Sequence, residues 1–221
     1  MRGGKEYDCN SLIDDCVQEG GRRPPLLPSA FAAELEKKSF TNGKDDKPLV
    51  ERLYEAAFEE QFGKATELLY ADLGWGDAEA AQLAEVLASG AAPRLETLVL
   101  HGNNIGDEGW KALAAALKEG AAPRLEYLTL NGNKIGDEGS KALAAALGKE
   151  GAAPRLEYLA LNGNKIGDEG SKALAAALGK EGAAPRLEYL YLHSNKIGDE
   201  GCKALAAALK EGAAPSLKTL Y

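Results

Sequence analysis

Two histidines, His101 and His193, are the first side chains in this chain able to bind a metal or move a proton. Both fill the same position of a repeated unit, three strands apart, so about 14 Å separates them at the usual strand spacing. That is too far for joint ligation. The acidic neighbours Asp137 and Glu138 suit a cation, and the glycines of G-N-K-I-G-D-E-G suit a phosphate. Both features recur in unit after unit, which makes them turn residues and helix-start residues, stabilised at a helix N-terminus by its dipole. No G-x-x-x-x-G-K-[ST] phosphate loop occurs. Cys9, Cys16 and Cys202 are odd in number and match no C-x-x-C pattern, so they read as reduced thiols. The expectation is a chain with no catalytic residue, no metal and no cofactor. It is expected inside the cell, in the cytoplasm first, with the nucleus or an organelle interior still open.

The elements that carry these residues announce themselves by repetition. Leu95, Leu125, Leu156, Leu187 and Leu217 open successive units at offsets of 30, 31, 31 and 30. Residues 125–155 and 156–186 differ only by Thr129 against Ala160. In each unit an alternating stretch such as Leu98-x-Leu100 predicts a short strand, leucines inward and Thr97, Val99 and His101 outward. Asn103, Asn133, Asn164 and Asn195 sit where the chain turns, and a buried amide there can bond the free backbone groups of the bend. Gly106-Asp107 follows, with Asp107 expected to cap its own helix. Ala112, Leu113, Ala116 and Leu117 then recur at helical spacing and press that helix onto the strands. One unit alone cannot bury its leucines, whereas stacked units form one continuous core.

The string L-x-x-L-x-L-x-x-N-x-I, carried for example by Leu95, Leu98, Leu100, Asn103 and Ile105, resembles the leucine-rich repeat. It is similar to the long, ribonuclease-inhibitor-like class found also in NOD-like receptors and Ran GTPase-activating proteins. The resemblance implies an α/β solenoid: a horseshoe arc with parallel strands on the concave face, helices on the convex face and a helical N-terminal cap. The expected divisions are an arm at 1–47, partly helical or flexible, a capping helix at 48–64 and repeats at 65–221. The repeats divide as 65–94 (degenerate), 95–124, 125–155, 156–186, 187–216 and the partial 217–221. In the degenerate unit Leu68, Tyr70, Leu73 and Trp75 stand 30 residues before Leu98, Leu100, Asn103 and Ile105.

Outside the repeats, Asn10–Glu19, Ser29–Phe40 and Pro48–Phe62 read as amphipathic helices, with Ser29 and Pro48 as starts. Leu49, Leu53, Ala56 and Ala57 suggest the apolar face of the third. Residues 41–46, Thr-Asn-Gly-Lys-Asp-Asp, read as a loop. At the other end the last strand lacks a polar cap, which leaves Leu205, Leu209 and Leu220 poorly covered.

A net charge of −8 argues against nucleic acid and anionic membrane surfaces as partners. No run of 18 apolar residues is present, so no membrane insertion is expected. The start of the chain has no apolar segment of a secretory signal. What varies between units is the outward strand positions. Thr97, Tyr127, Tyr158, Tyr189 and Thr219 form one column. Val99, Thr129, Ala160, Tyr191 and Tyr221 form a second, and His101, Asn131, Asn162 and His193 a third. The three tyrosines of the first column should stack at about the 4.8 Å strand spacing, and tyrosine is favoured at binding hot spots. The reading is a non-enzymatic module that binds a protein on its concave face through Tyr127, Tyr158, Tyr189, Tyr191, Tyr221, Thr129, His101, His193, Asn131 and Asn162. Two alternatives stay open. One is an architectural subunit that self-associates or docks through its C-terminal edge. The other, implied by the resemblance, is a GTPase-activating regulator, although no unit carries a singular arginine in its loop.

Overall fold

A computed structural model describes residues 22–40, 43–149 and 151–221. The expected helix at Asn10–Glu19, Cys9 and Cys16 lie outside the described residues, as do Thr41 and Asn42. Strand and helix alternate from residue 67 onward: β1 (Glu67–Leu69), α3 (Asp77–Ala88), β2 (Thr97–Val99), α4 (Asp107–Lys118), β3 (Tyr127–Thr129), α5 (Asp137–Leu147), β4 (Tyr158–Ala160), α6 (Asp168–Leu178), β5 (Tyr189–Tyr191), α7 (Asp199–Lys210) and β6 (Thr219–Leu220). The strands form one open parallel sheet in sequence order. Register follows the repeat: Leu68 faces Leu98, Leu98 faces Leu128, Leu128 faces Leu159, Leu159 faces Leu190 and Leu190 faces Leu220.

Two spacings set the shape. Neighbouring strands lie about 4.8 Å apart, whereas neighbouring helices need about 8–10 Å. The helical side therefore runs around the longer perimeter and the sheet lines the inside of the arc. Between them a single core runs from Leu68 to Ala214. Leu98, Leu100, Ile105, Leu113, Leu128, Leu130 and Ile135 are wholly buried in it. Alanine on the inner helix faces (Ala80, Ala114, Ala144, Ala175) keeps adjacent helices close.

The asparagines tie each unit to the one before it. Asn133 accepts from the Ile105 N–H (3.0 Å) and donates to the carbonyls of Leu100 (2.9 Å) and Leu130 (3.0 Å). Asn103 and Asn164 make the same set one step to either side. All three are buried, while Asn195, with no unit stacked beyond it, is half-buried. The bend after each strand brings backbones together. Gly163 adopts φ +68°, and a Cβ on it would sit 3.3 Å from the Gly132 nitrogen. Ser194 holds the corresponding left-handed conformation at φ 56°, where its unit has no glycine to offer.

Helix capping differs from the expectation. Asp107 does not cap its own helix; the N-cap position is Gly106, with no side-chain cap from within the unit. The Asp77 carboxylate reaches across instead and accepts from the Gly106 and Gly109 N–H groups at 2.7 and 3.0 Å. Asp107 does the same for Gly136 and Gly139, Asp137 for Gly167 and Gly170, and Asp168 for Gly198 and Gly201. Each aspartate is thus the first residue of one helix and the cap of the next. The second glycine is obligatory for a steric reason: a Cβ on Gly170 would lie 2.8 Å from Asp137 Oδ1.

The N-terminal end also departs from the reading in detail. Helix α1 spans Pro28–Glu36 and starts at its proline rather than at Ser29, since proline has no N–H to leave unpaired there. Helix α2 spans Gly43–Lys64, so Gly43–Asp46 is helical and not loop. Pro48 lies inside the helix, where its ring already fixes a helical φ at the loss of one backbone bond. Lys47 anchors this first stretch to Glu36 of α1 at 3.1 Å. The face expected to be buried, Leu49 and Leu53, is exposed. Aromatic residues four apart turn inward instead: Phe58 is buried, Tyr54 and Phe62 are half-buried in line with it, Phe31 stacks on Tyr54 at 3.7 Å, and Phe62 packs on the core. The extended residues 22–27 strap the first unit as well. The Arg22 carbonyl accepts from Trp75 Nε1 at 2.7 Å, its guanidinium lies 5.0 Å above Tyr70, and the Leu26 carbonyl accepts from the Tyr54 hydroxyl at 2.8 Å.

Candidate functional site

The parallel register sets the outward columns side by side. In the first, Tyr127, Tyr158 and Tyr189 occupy β3, β4 and β5, flanked by Thr97 and Thr219. Their ring centroids lie 6.0 and 6.2 Å apart, inclined by 30° and 38°. This is wider than the expected strand spacing, because offset and tilted rings are favoured over a face-to-face stack by the ring quadrupole. In the second column Tyr191 stands opposite Ala160 and tips its ring to 5.3 Å from Tyr158. Ala160, expected to face outward, is buried beneath this aromatic roof. Tyr191 also stacks on Tyr221 at 6.3 Å, and His193 meets the Tyr221 ring edge-on at 5.5 Å. The five tyrosines and His193 therefore make one continuous aromatic surface.

Thr129 is half-buried beside it, and its hydroxyl has no hydrogen-bond partner among the described residues. Asn131 and Asn162 are half-buried at the C-terminal rim of the sheet, and His101 stands at the far end, 3.9 Å from Asp72. The second column runs on into β1 and β2 as Leu69 and Val99; Leu69 is 53% exposed. Column comparison restricted to the regular units missed Leu69, although its offset of 30 from Val99 was available to find it. The aromatic face has a chemical consequence for its own hydroxyls. Burial, and then the neighbouring Tyr191, raise the Tyr158 phenol above the ordinary tyrosine value.

A second row, also missed, runs along the N-terminal rim. Glu96, Glu126, Glu157 and Glu188 each immediately precede the first outward position and are all half-buried. Glu126 has Arg155 at 3.9 Å, and Glu188 has Lys218 at 2.7 Å. Among the described residues no ion pair reaches Glu96 or Glu157 within 4 Å, the distance that defines one. Constancy between units hid this row, because an invariant position reads as structural.

Among the described residues no set of three or more His, Cys, Asp or Glu side chains is arranged to hold a metal. Trp110 is wholly buried, on the helix side of the core rather than on the surface. At the C-terminal edge Leu205 is buried, contrary to expectation, whereas Leu220 is exposed. A groove of about 430 Å³ there is lined by Leu192, Ile197, Leu205, Leu209, Leu220 and Tyr221. Among the described residues no helix is long and apolar enough to cross a membrane.

An open parallel sheet backed by helices, with an asparagine at the bend of each of four successive units, defines the leucine-rich-repeat solenoid. The sequence pattern of the leucine-rich repeat matches residues 93–114, 123–144, 154–175 and 185–206. The chain is a leucine-rich-repeat protein, of a family whose members typically serve as non-enzymatic protein-interaction modules. Among solved structures it is similar to the leiomodin-1 actin-binding site 2, with TM-score 0.51 and 17% identity over 71% of this chain and 85% of that one. It is also similar to the tropomodulin C-terminal domain of Caenorhabditis elegans, with TM-score 0.51 and 15% identity over 71% and 89%. These likenesses concern the fold. No curated protein sequence matches the chain.

Proposed function

We propose that this protein is a binding module that holds a protein partner on the concave sheet face, with Tyr127, Tyr158, Tyr189, Tyr191 and Tyr221 as the principal contacts. The observation that carries this reading is the continuous aromatic surface. Tyr127 is 44% exposed and Tyr221 71% exposed, and the rings between them hold one another in place. Rigid aromatic side chains lose little conformational entropy on binding and dominate contact energies. Thr129, Asn131, Asn162, His101 and His193 surround the rings as polar contacts. The exposed free thiol of Cys202 supports a reducing, intracellular setting.

Affinity capture from source-cell lysate with the whole chain, beside a Tyr127→Ala, Tyr158→Ala, Tyr189→Ala variant of unchanged circular dichroism, tests the reading. Partners held by the first and lost by the second are expected. Partners that persist on the folded variant would refute concave-face binding. The apolar groove beside β6 favours a second reading, docking to a neighbouring subunit. Light scattering that finds only monomer at high concentration would count against self-association there.

A further inference from the structure

We infer that the partner segment seated on the concave face is basic, its Lys or Arg side chains lying across the tyrosine rings with their charged heads on Glu96, Glu126 and Glu157. This rests on the concave-face reading above and adds the chemistry of the partner. These glutamates immediately precede the paired residues Thr97, Tyr127 and Tyr158, which sets them next to one another at the strand starts, about 4.8 Å apart along the backbone. Like charges placed directly opposite across strands are unfavourable. The fold offsets this repulsion sparingly, with Arg155 at 3.9 Å from Glu126 and no ion pair at Glu96 or Glu157 among the described residues.

The chain supplies its own example of what completes the row. In the last unit the glutamate position is taken by Lys218, whose Nζ donates to Glu188 Oε2 at 2.7 Å. The Glu188 bond is the main cause of its raised pKa, and the charges of Tyr189 and Glu157 add to it. An ammonium is therefore seated on this carboxylate row in the chain itself, at the position next to Thr219, one strand beyond where the aromatic ladder stops. The same environment, without the lysine, repeats at Glu157 beside Tyr158 and at Glu126 beside Tyr127. A lysine or arginine stem can lie along the exposed Tyr127 ring, and its charge is drawn to the ring face as well as to the carboxylate. The net charge of −8 favours the approach of such a partner from a distance.

The test is a fluorescence-anisotropy titration of the whole chain with a labelled dodecapeptide of alternating lysine and serine, beside its glutamate–serine counterpart, at low salt. Saturable binding of the lysine peptide alone is expected, weakening as salt rises. A Glu126→Gln, Glu157→Gln double variant should bind it about fivefold to tenfold more weakly at an unchanged melting temperature. Lys218→Ala should bind it about twofold to fivefold more tightly, because Glu188 is released. A merely structural role for the row predicts no such gain. Equal binding of the two peptides, indifference to the glutamate pair, or no gain on removing Lys218 would each overturn the inference. The concave-face reading would survive any of these results if the tyrosine variant still lost its captured partner, so the two can fail separately.

Discussion

Replacing Asn133 by alanine removes three hydrogen bonds, and the structure says which of the groups left behind stays without a partner. The Leu100 carbonyl keeps the Asn103 amide at 3.0 Å, and the Leu130 carbonyl keeps the Asn164 amide at 2.9 Å. The Ile105 N–H, bonded at 3.0 Å to Asn133 Oδ1, keeps nothing and is buried. One orphaned buried donor costs about 1–3 kcal/mol, and two lost bonds to carbonyls that retain another donor add about 0.5–1 kcal/mol each. The sum is about 3 kcal/mol. Asn195→Ala is the internal control. It removes the same three bonds, to the Ile166 N–H and the Leu161 and Leu192 carbonyls. At this half-buried position water can replace them, and the loss should be about 1 kcal/mol. Urea unfolding followed by circular dichroism measures both, with the Asn133→Ala midpoint about 1 M lower and the Asn195→Ala midpoint displaced by about a third as much. A loss of cooperativity in Asn133→Ala alone would agree with a break between stacked units. Equal midpoints for the two variants would refute the claim that the asparagine ladder acts by satisfying buried backbone between units.

Three further predictions use the same structure. Asp137→Ala removes the acceptor of the Gly167 and Gly170 N–H groups and should cost about 1–2 kcal/mol, whereas Asp199→Ala, with no helix beyond it in the structure to cap, should stay within about 0.5 kcal/mol by urea unfolding. Trp110→Ala should cost about 3–5 kcal/mol through the cavity it leaves. Trp110→Phe should cost under about 2 kcal/mol, because it also removes an indole N–H that has no partner among the described residues. Burial raises the phenols of Tyr54, Tyr70 and Tyr158 above 10.0 in the folded protein. The unfolded chain then loses these protons first, so stability should fall as pH rises past about 10. Ultraviolet titration should show these three tyrosines ionising above the ordinary phenol value; a single transition at the ordinary value would contradict their burial.

How much of this was legible beforehand follows from what a repeat records. Leucines at Leu98 and Leu100, the asparagine at Asn103 and the helical spacing of Leu113 and Leu117 are local periodicities, and one unit displays them all. Repeated through the chain, they dictate a parallel sheet with helices behind it, because no other arrangement buries each unit's leucines. Strand register was legible for the same reason, and with it the columns that carry Tyr127, Tyr158 and Tyr189. Interactions between units were not. Asp107 looks like the cap of its own helix, since capping is usually local. Only the stacking distance shows that its carboxylate meets Gly136 and Gly139 of the next unit.

The N-terminal end obeyed no period, and Leu49 and Leu53 suggested a buried face as plausibly as Tyr54, Phe58 and Phe62 did. Tertiary contact with Phe31 and the first unit decided in favour of the aromatics. The row of Glu96, Glu126 and Glu157 was hidden by its own regularity. Its members become a charged strip only once parallel strands hold them a strand spacing apart, with Lys218 closing one end and the tyrosines alongside. The sequence alone therefore determined the architecture, because burial of a periodic apolar face is a local requirement repeated along the chain. Which side chains meet across units was decided by the tertiary structure, because those contacts depend on how closely strands and helices stack, a distance that no single unit encodes.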